Sequence, residues 1–169
     1  MNLSQAEAIA LKYKYSLTPY CDRIEIAGSI RRQRKEVHDI ELVCIPKNIM
    51  IQDSLFGESP VRDPAFINSV NSFNQIKGNG EGKYAQIILD EGINLDLFIT
   101  TPEQWGLIFM IRTGSAQFSK RMVTEIKPYF RVEGGFLLNR AGMILPCYEE
   151  KDFFKQTGRE YLPPELRVL

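Results

Sequence analysis

Asp39 and Glu41 stand two residues apart in Asp39-Ile40-Glu41-Leu42-Val43, and Asp96 sits within Ile93-Asn94-Leu95-Asp96-Leu97-Phe98-Ile99. Each acid alternates with apolar neighbours. Side chains two apart on a strand point the same way, so Asp39 and Glu41 share a face while Ile40 and Leu42 enter the core. Their Cβ atoms are then roughly 6–7 Å apart, a spacing at which two carboxylates repel unless a cation lies between them. Hard carboxylate oxygens suit magnesium. With Asp96 as a third strand-borne acid the pattern predicts a site for two Mg2+ ions, with Mn2+ as the alternative ion.

Upstream of these acids, Gly28-Ser29 interrupts an apolar run and is followed by Arg31, Arg32, Arg34 and Lys35. Glycine lets backbone approach a phosphate closely, serine adds a hydroxyl, and a helix starting there would aim amides at an anion. Arg31 and Arg32 add cationic donors. The arrangement reads as a nucleoside-triphosphate site. His38, the one histidine, reads as a strand-edge residue.

The elements that must position these residues follow from spacing and punctuation. Ser4 and Glu7 form a capping-box pattern ahead of a helix over 4–17. Strands are predicted over 23–27 and 38–45, bracketing the phosphate turn. The proline-containing stretch 46–64 reads as a surface loop, and apolar spacing over 65–76 as a helix packed on a sheet. A glycine-rich connection at 77–83 leads to a strand over 84–89, and residues 90–92 turn into the Asp96 strand as a hairpin. Helical pattern resumes at Pro102, breaks at Gly114-Ser115, where Ser115 caps a second helix, and runs to about 127. Residues 136–138 and 143–145 read as a hairpin.

Composition limits the function classes. The chain has 169 residues, enough for one or two small domains, and 21 basic residues balance 21 acidic ones. That balance argues against indiscriminate coating of nucleic acid, because such binding scales with the cations placed on phosphates. Local clusters carry the basic character instead: 31–35, and Lys120, Arg121, Lys127 and Arg131. No apolar run is long enough to span a membrane and no export signal is evident, so a cytoplasmic location is expected. Cys21, Cys44 and Cys147 lack metal-ligand spacing and read as buried, reduced thiols.

Taken in order, three blocks resemble the family X DNA polymerases, within the nucleotidyltransferases built on the DNA polymerase beta palm. The first is Gly28-Ser29, Arg31-Arg32 and the acids of the next strand. The second is Thr113-Gly114-Ser115 after Pro102-Glu103-Gln104-Trp105-Gly106. The third is the closing segment 149–167, ending Tyr161-Leu162-Pro163-Pro164-Glu165-Leu166-Arg167. The resemblance covers 22–167 and implies an α+β fold: a palm of mixed sheet and helices over 1–104, then a small C-terminal nucleotide-binding, thumb-like subdomain over 105–169. Accessory N-terminal domains are expected to be absent.

The resemblance further implies magnesium-dependent transfer of a nucleotide from a (d)NTP to a DNA 3′-hydroxyl, as in compact gap-filling repair. Asp39, Glu41 and Asp96 would be the catalytic metal ligands. Gly28, Ser29, Arg32, Thr113, Gly114 and Ser115 would hold the nucleotide, and Arg34, Lys35, Lys83, Arg112, Lys120 and Arg121 would contact nucleic acid. The expected partners are (d)NTP and gapped or primer-template DNA, with a monomeric protein and no membrane. Two further readings use the same residues: a non-catalytic nucleotide- or nucleic-acid-binding module, and nucleotidyl transfer to a non-DNA acceptor.

Overall fold

The alternating apolar runs of the N-terminal two thirds assemble into one five-stranded sheet in the computed structural model, which describes residues 1–53 and 57–168. Its strands are β1 (Cys21–Ile26), β2 (Asp39–Pro46), β5 (Gln75–Gly78), β6 (Tyr84–Ile88) and β7 (Asn94–Ile99), ordered β1-β2-β7-β6-β5. Only β2 and β7 run parallel; the other neighbours are antiparallel. Helix α1 (Leu3–Leu17) buries Ala6, Ala10, Tyr13 and Leu17, spaced by three or four residues, against this sheet. Ile40, Leu42, Leu95 and Leu97 are fully buried on the same core face. The fold is α+β with a mixed sheet, as expected.

Several boundaries differ from the sequence expectation. The cap of α1 is Asn2, whose side chain accepts the Gln5 amide at 2.9 Å, so the Ser4 and Glu7 pattern is not the one used. The stretch 46–64 is no simple loop: β3 (Asn48–Asp53) and β4 (Gly57–Arg62) pair as an antiparallel ribbon, although residues 54–56 lie outside the described residues. Helix α3 (Pro64–Asn71) stops before the predicted end, and its last predicted residues enter β5, where Gln75 pairs with Ile87. The three cysteines are free and buried. No helix among the described residues is long and apolar enough to cross a membrane.

The C-terminal third has its own core. Helices α4 (Trp105–Thr113) and α5 (Ala116–Glu125) pack with α6 (Glu150–Gln156) around Leu107, Met110, Phe118, Met122, Phe153 and Phe154. The predicted hairpin is a three-stranded sheet, β10-β9-β8, because β8 (Phe130–Glu133) pairs with β9 (Phe136–Asn139), and β9 with β10 (Ile144–Leu145). Ser115 caps α5 by accepting the Phe118 amide at 3.2 Å.

One buried carboxylate ties the two parts together. Glu150 in α6 receives both terminal nitrogens of Arg31 at 2.7 Å, and Nη1 of the fully buried Arg167 at 2.6 Å. Burial alone would raise the Glu150 pKa, but the hydrogen bonds from Arg31 and Arg167 outweigh it and hold the carboxyl below its ordinary value. The stability this supplies is present above the unfolded glutamate pKa and is lost as pH falls through the depressed folded one. Glu150→Ala, which strands a buried arginine, is expected to cost about 3–5 kcal/mol in urea unfolding at pH 7. The deficit should shrink in acid, where the wild type loses the same charge.

Candidate active site

Parallel pairing of β2 with β7 sets Glu41 opposite Asp96 and Asp39 opposite Asn94. All three acids are half-buried and lie on the face opposite the core leucines. The crowding shows in their ionisation. Burial first, then Asp96, pushes the Asp39 pKa up, with His38 and Arg32 acting against them. Glu41 is pushed to about 7, again by burial first and then by Asp39, against the pull of Arg32 and Arg112. A cluster of carboxylates short of positive charge is what a divalent cation relieves.

The side chains stop short of a ready-made cage. Among the described residues no three His, Cys, Asp or Glu are grouped closely enough to hold a metal, so the expected convergence of Asp39, Glu41 and Asp96 is not preassembled. The reason lies in their partners. Asp96 Oδ1 accepts from the Tyr84 hydroxyl at 2.6 Å and from Gln86 Nε2 at 3.0 Å, across the β6–β7 pair. The Glu41 carboxyl is folded against Gly28, where a Cβ would come within 1.8 Å of its Oε2. Gly28 also has φ +60°, so its backbone requires glycine, and any side chain there would displace the Glu41 carboxyl. Sequence alone offered no route to Tyr84 and Gln86, whose role arises from strand register.

The phosphate turn folds as a single helical turn, α2 (Gly28–Arg31), too short to carry a sizeable dipole. Its donors therefore matter more. The Ser29 Oγ and Arg32 Nε are both buried and have no hydrogen-bond partner among the described residues. Burial pulls the Arg32 guanidinium below its ordinary pKa, while the Glu41 carboxyl works in the opposite direction. Both residues line a cavity of about 730 Å³ together with the exposed Arg34, Lys35, Glu36 and His38. Buried donors without partners, in a cavity where Arg32, Arg34 and Lys35 outnumber the one carboxylate of Glu36, suit an anion.

Arg31 does not join them, because Glu150 holds it and its ring-side face lies 3.9 Å from Phe109. Thr113, Gly114 and Ser115 form a structural junction in this arrangement. The Thr113 hydroxyl accepts from Arg31 at 2.7 Å, its carbonyl accepts from Arg32 at 2.5 Å, and the Ser115 amide donates to the Arg167 carbonyl at 3.0 Å. Gly114 sits tight on Phe118 and Ser119, which a Cβ would meet at 2.5 and 2.6 Å. Of the residues expected at nucleic acid, Lys120 and Arg121 are exposed on α5 and do not line the cavity beside Ser29, and Arg121 pairs with Glu125.

Lys83 and Arg112 instead flank a second cavity, of about 570 Å³, walled by Glu41, Asp96 and Tyr84. The exposed Arg112 guanidinium lies 3.9 Å over the Phe98 ring. Gly134 and Gly135, in the β8–β9 turn, line it as well. Sequence reasoning missed this wall, and the backbone of two adjacent glycines gives no pattern that would have located it.

No protein-family model matches the chain. Human DNA-directed DNA/RNA polymerase mu is 31% identical over 84 residues, covering 46% of this chain and 16% of that protein. The likeness is partial and marks a polymerase-like region.

The Glu41 pKa yields a stability test. Because it lies above the unfolded value of 4.5, folding takes up a proton between the two values, so wild-type stability falls as pH rises from about 4.5 to about 7. Glu41→Gln is expected to be more stable than wild type by roughly 3 kcal/mol at pH 8, with the gap closing below pH 4.5. Thermal unfolding across that range checks it.

Proposed function

We propose that the chain transfers a nucleotide from a (d)NTP to a 3′-hydroxyl of DNA with release of pyrophosphate, as a compact family X-like gap-filling polymerase. In this reading residues 1–104 form the palm and 105–169 the C-terminal nucleotide-binding subdomain. The observation that carries it is the pairing of two buried, unpartnered donors, Ser29 Oγ and Arg32 Nε, with three carboxylates on the adjoining strands. The partial likeness to a DNA polymerase supports the same direction.

Asp39, Glu41 and Asp96 fit magnesium by donor type and by the charge deficit between them, and they would be its ligands. When bound, a pair of such ions supplies Lewis-acid polarisation of the phosphoryl oxygens and neutralises charge on the departing pyrophosphate. The chain does the rest. Ser29 and Arg32 bind the β- and γ-phosphates, with Arg34 and Lys35 at the rim, through charge-assisted hydrogen bonds in a partly desolvated pocket. Asp96, its carboxylate oriented by Tyr84 and Gln86, takes the proton of the 3′-hydroxyl as that oxygen attacks the α-phosphorus. Holding donor and acceptor side by side, the one at the α2 turn and the other at the adjoining strands, supplies the remaining advantage.

A non-catalytic binding module of the same architecture is the second reading, and the observation favouring it is the Glu41 carboxyl folded onto Gly28 in place of a three-ligand group. Asp96→Asn keeps the side-chain volume and separates the two readings. Incorporation of labelled dNTP on gapped DNA with magnesium is expected to fall at least a thousandfold, roughly 4 kcal/mol of barrier, with unchanged thermal unfolding. Undiminished incorporation in that variant removes Asp96 from the chemistry, and no incorporation by the wild type on DNA, RNA or small acceptors favours the binding module.

A further inference from the structure

The antiparallel ribbon that follows β2 forms a sheet of its own. Among the described residues β3 and β4 pair only with each other, so each has one edge of backbone amides and carbonyls with no strand beside it. The two edges are not alike. β4 carries Pro60 within the strand and Glu58 and Arg62 near its ends, features that stop a further strand from adding. β3 has none of these from Asn48 to Gln52: no charge, no proline and no break in its register with β4. Ile49, Met50 and Ile51 lie there 39%, 58% and 42% exposed.

The order of residues along β3 is self-complementary. Laid antiparallel against its own copy about a two-fold axis at Met50, the strand sets Asn48 opposite Gln52, Ile49 opposite Ile51 and Met50 opposite Met50. Polar meets polar and β-branched meets β-branched, the pairings that stabilise a sheet. Ile49 and Ile51 share a face, so the four isoleucines of the two copies gather on one side of the resulting four-stranded sheet, with each Val61 flanking its own Ile49. Moving the axis by one residue loses this match. Centred on Ile51 the strand sets Gln52 against Met50, and centred on Ile49 it sets Asn48 against Met50 and Lys47 against Ile51.

We propose that β3 pairs with β3 of a second copy of this chain in an isologous dimer. This departs from the monomer that the family resemblance implies. It is independent of the nucleotidyl-transfer reading, because β3 follows the Pro46 end of β2 whereas Asp39 opens that strand, about 23 Å away at roughly 3.3 Å per residue. The acidic face stays open in both copies. Two strands of six residues bury less than the roughly 800 Å² per partner of a standard interface, so the dimer forms reversibly and only at high protein concentration.

Sedimentation equilibrium of the whole chain, without metal or nucleotide, tests the pairing. The apparent mass is expected to rise from 19.4 kDa towards twice that value between low micromolar and submillimolar protein, and to return on dilution. Met50→Lys sets like charges against each other at the axis, and should hold the mass at the monomer value with the melting temperature unchanged, since Met50 is exposed. Met50→Cys tests the register. Opposed Cα atoms about 4.5–5.5 Å apart are within reach of a disulfide, and the chain's own cysteines are buried. Oxidation of the two introduced thiols by diamide should therefore give a covalent dimer at least about tenfold faster than in Tyr15→Cys, a control at an exposed position on α1. A monomer at every concentration overturns the proposal and leaves the edge to a strand of another protein. So does a dimer that survives Met50→Lys, growth past two copies without a plateau, or cross-linking of Met50→Cys no faster than the control.

Discussion

Crowding negative charge onto one face of a parallel strand pair is the constraint around which this protein is arranged. Asp39, Glu41 and Asp96 cannot move apart by slippage, because a shift of one residue would send Ile40, Leu42, Leu95 and Leu97 to the solvent face and the acids into the core. The register therefore holds the carboxylates together against their mutual repulsion. Arg32 and Arg112 offset part of it, and the proton that Glu41 retains near neutral pH offsets more. Such a strained cluster is usual at a functional site, where the groups that lower stability are the ones that bind or react.

A second buried ionic group works in the opposite sense. Glu150 is fully compensated by two arginines, Arg31 from the phosphate turn and Arg167 from the end of the chain. Buried pairs of this kind add little net stability but penalise any arrangement that separates their members. The consequence for the site is a division of labour between adjacent arginines. Arg31 is committed to holding the C-terminal helices against the turn, and Arg32, whose buried Nε has no partner among the described residues, lines the cavity beside Arg34 and Lys35. Thr113 receives a hydrogen bond from each, so the junction before α5 reports on both.

Much of this was legible in the residues themselves. Alternation around the acids, Asp39-Ile40-Glu41-Leu42 and Leu95-Asp96-Leu97, identified β2 and β7 and placed the three acids on one face, and Ser115 announced its own helix cap. The β3–β4 ribbon escaped because it has no alternation to read: Ile49, Met50 and Ile51 are consecutive and all exposed, and Pro60 lies within β4. Helix α3 was overextended because Ile76 continued its apolar spacing, whereas pairing with β6 claimed Gln75–Gly78 for the sheet. The roles of Arg31, Glu150 and Arg167 depend on contacts more than a hundred residues apart in one case, and no local pattern encodes those. The rotamers of Glu41 and Asp96 are set in the same way, by Gly28, Tyr84 and Gln86.

On the proposed function, the acidic face of β2 and β7 captures divalent cations next to a polyphosphate. Paramagnetic broadening of amide resonances by substoichiometric Mn2+, recorded with and without a deoxyribonucleoside triphosphate, reads this directly. Broadening is expected to centre on Asp39, Glu41 and Asp96, to spread to Gly28 and Ser29, and to set in at lower Mn2+ when the triphosphate is present. Broadening confined to other acids, such as Glu91 or Glu125, with the strand pair untouched and indifferent to the triphosphate, would contradict it.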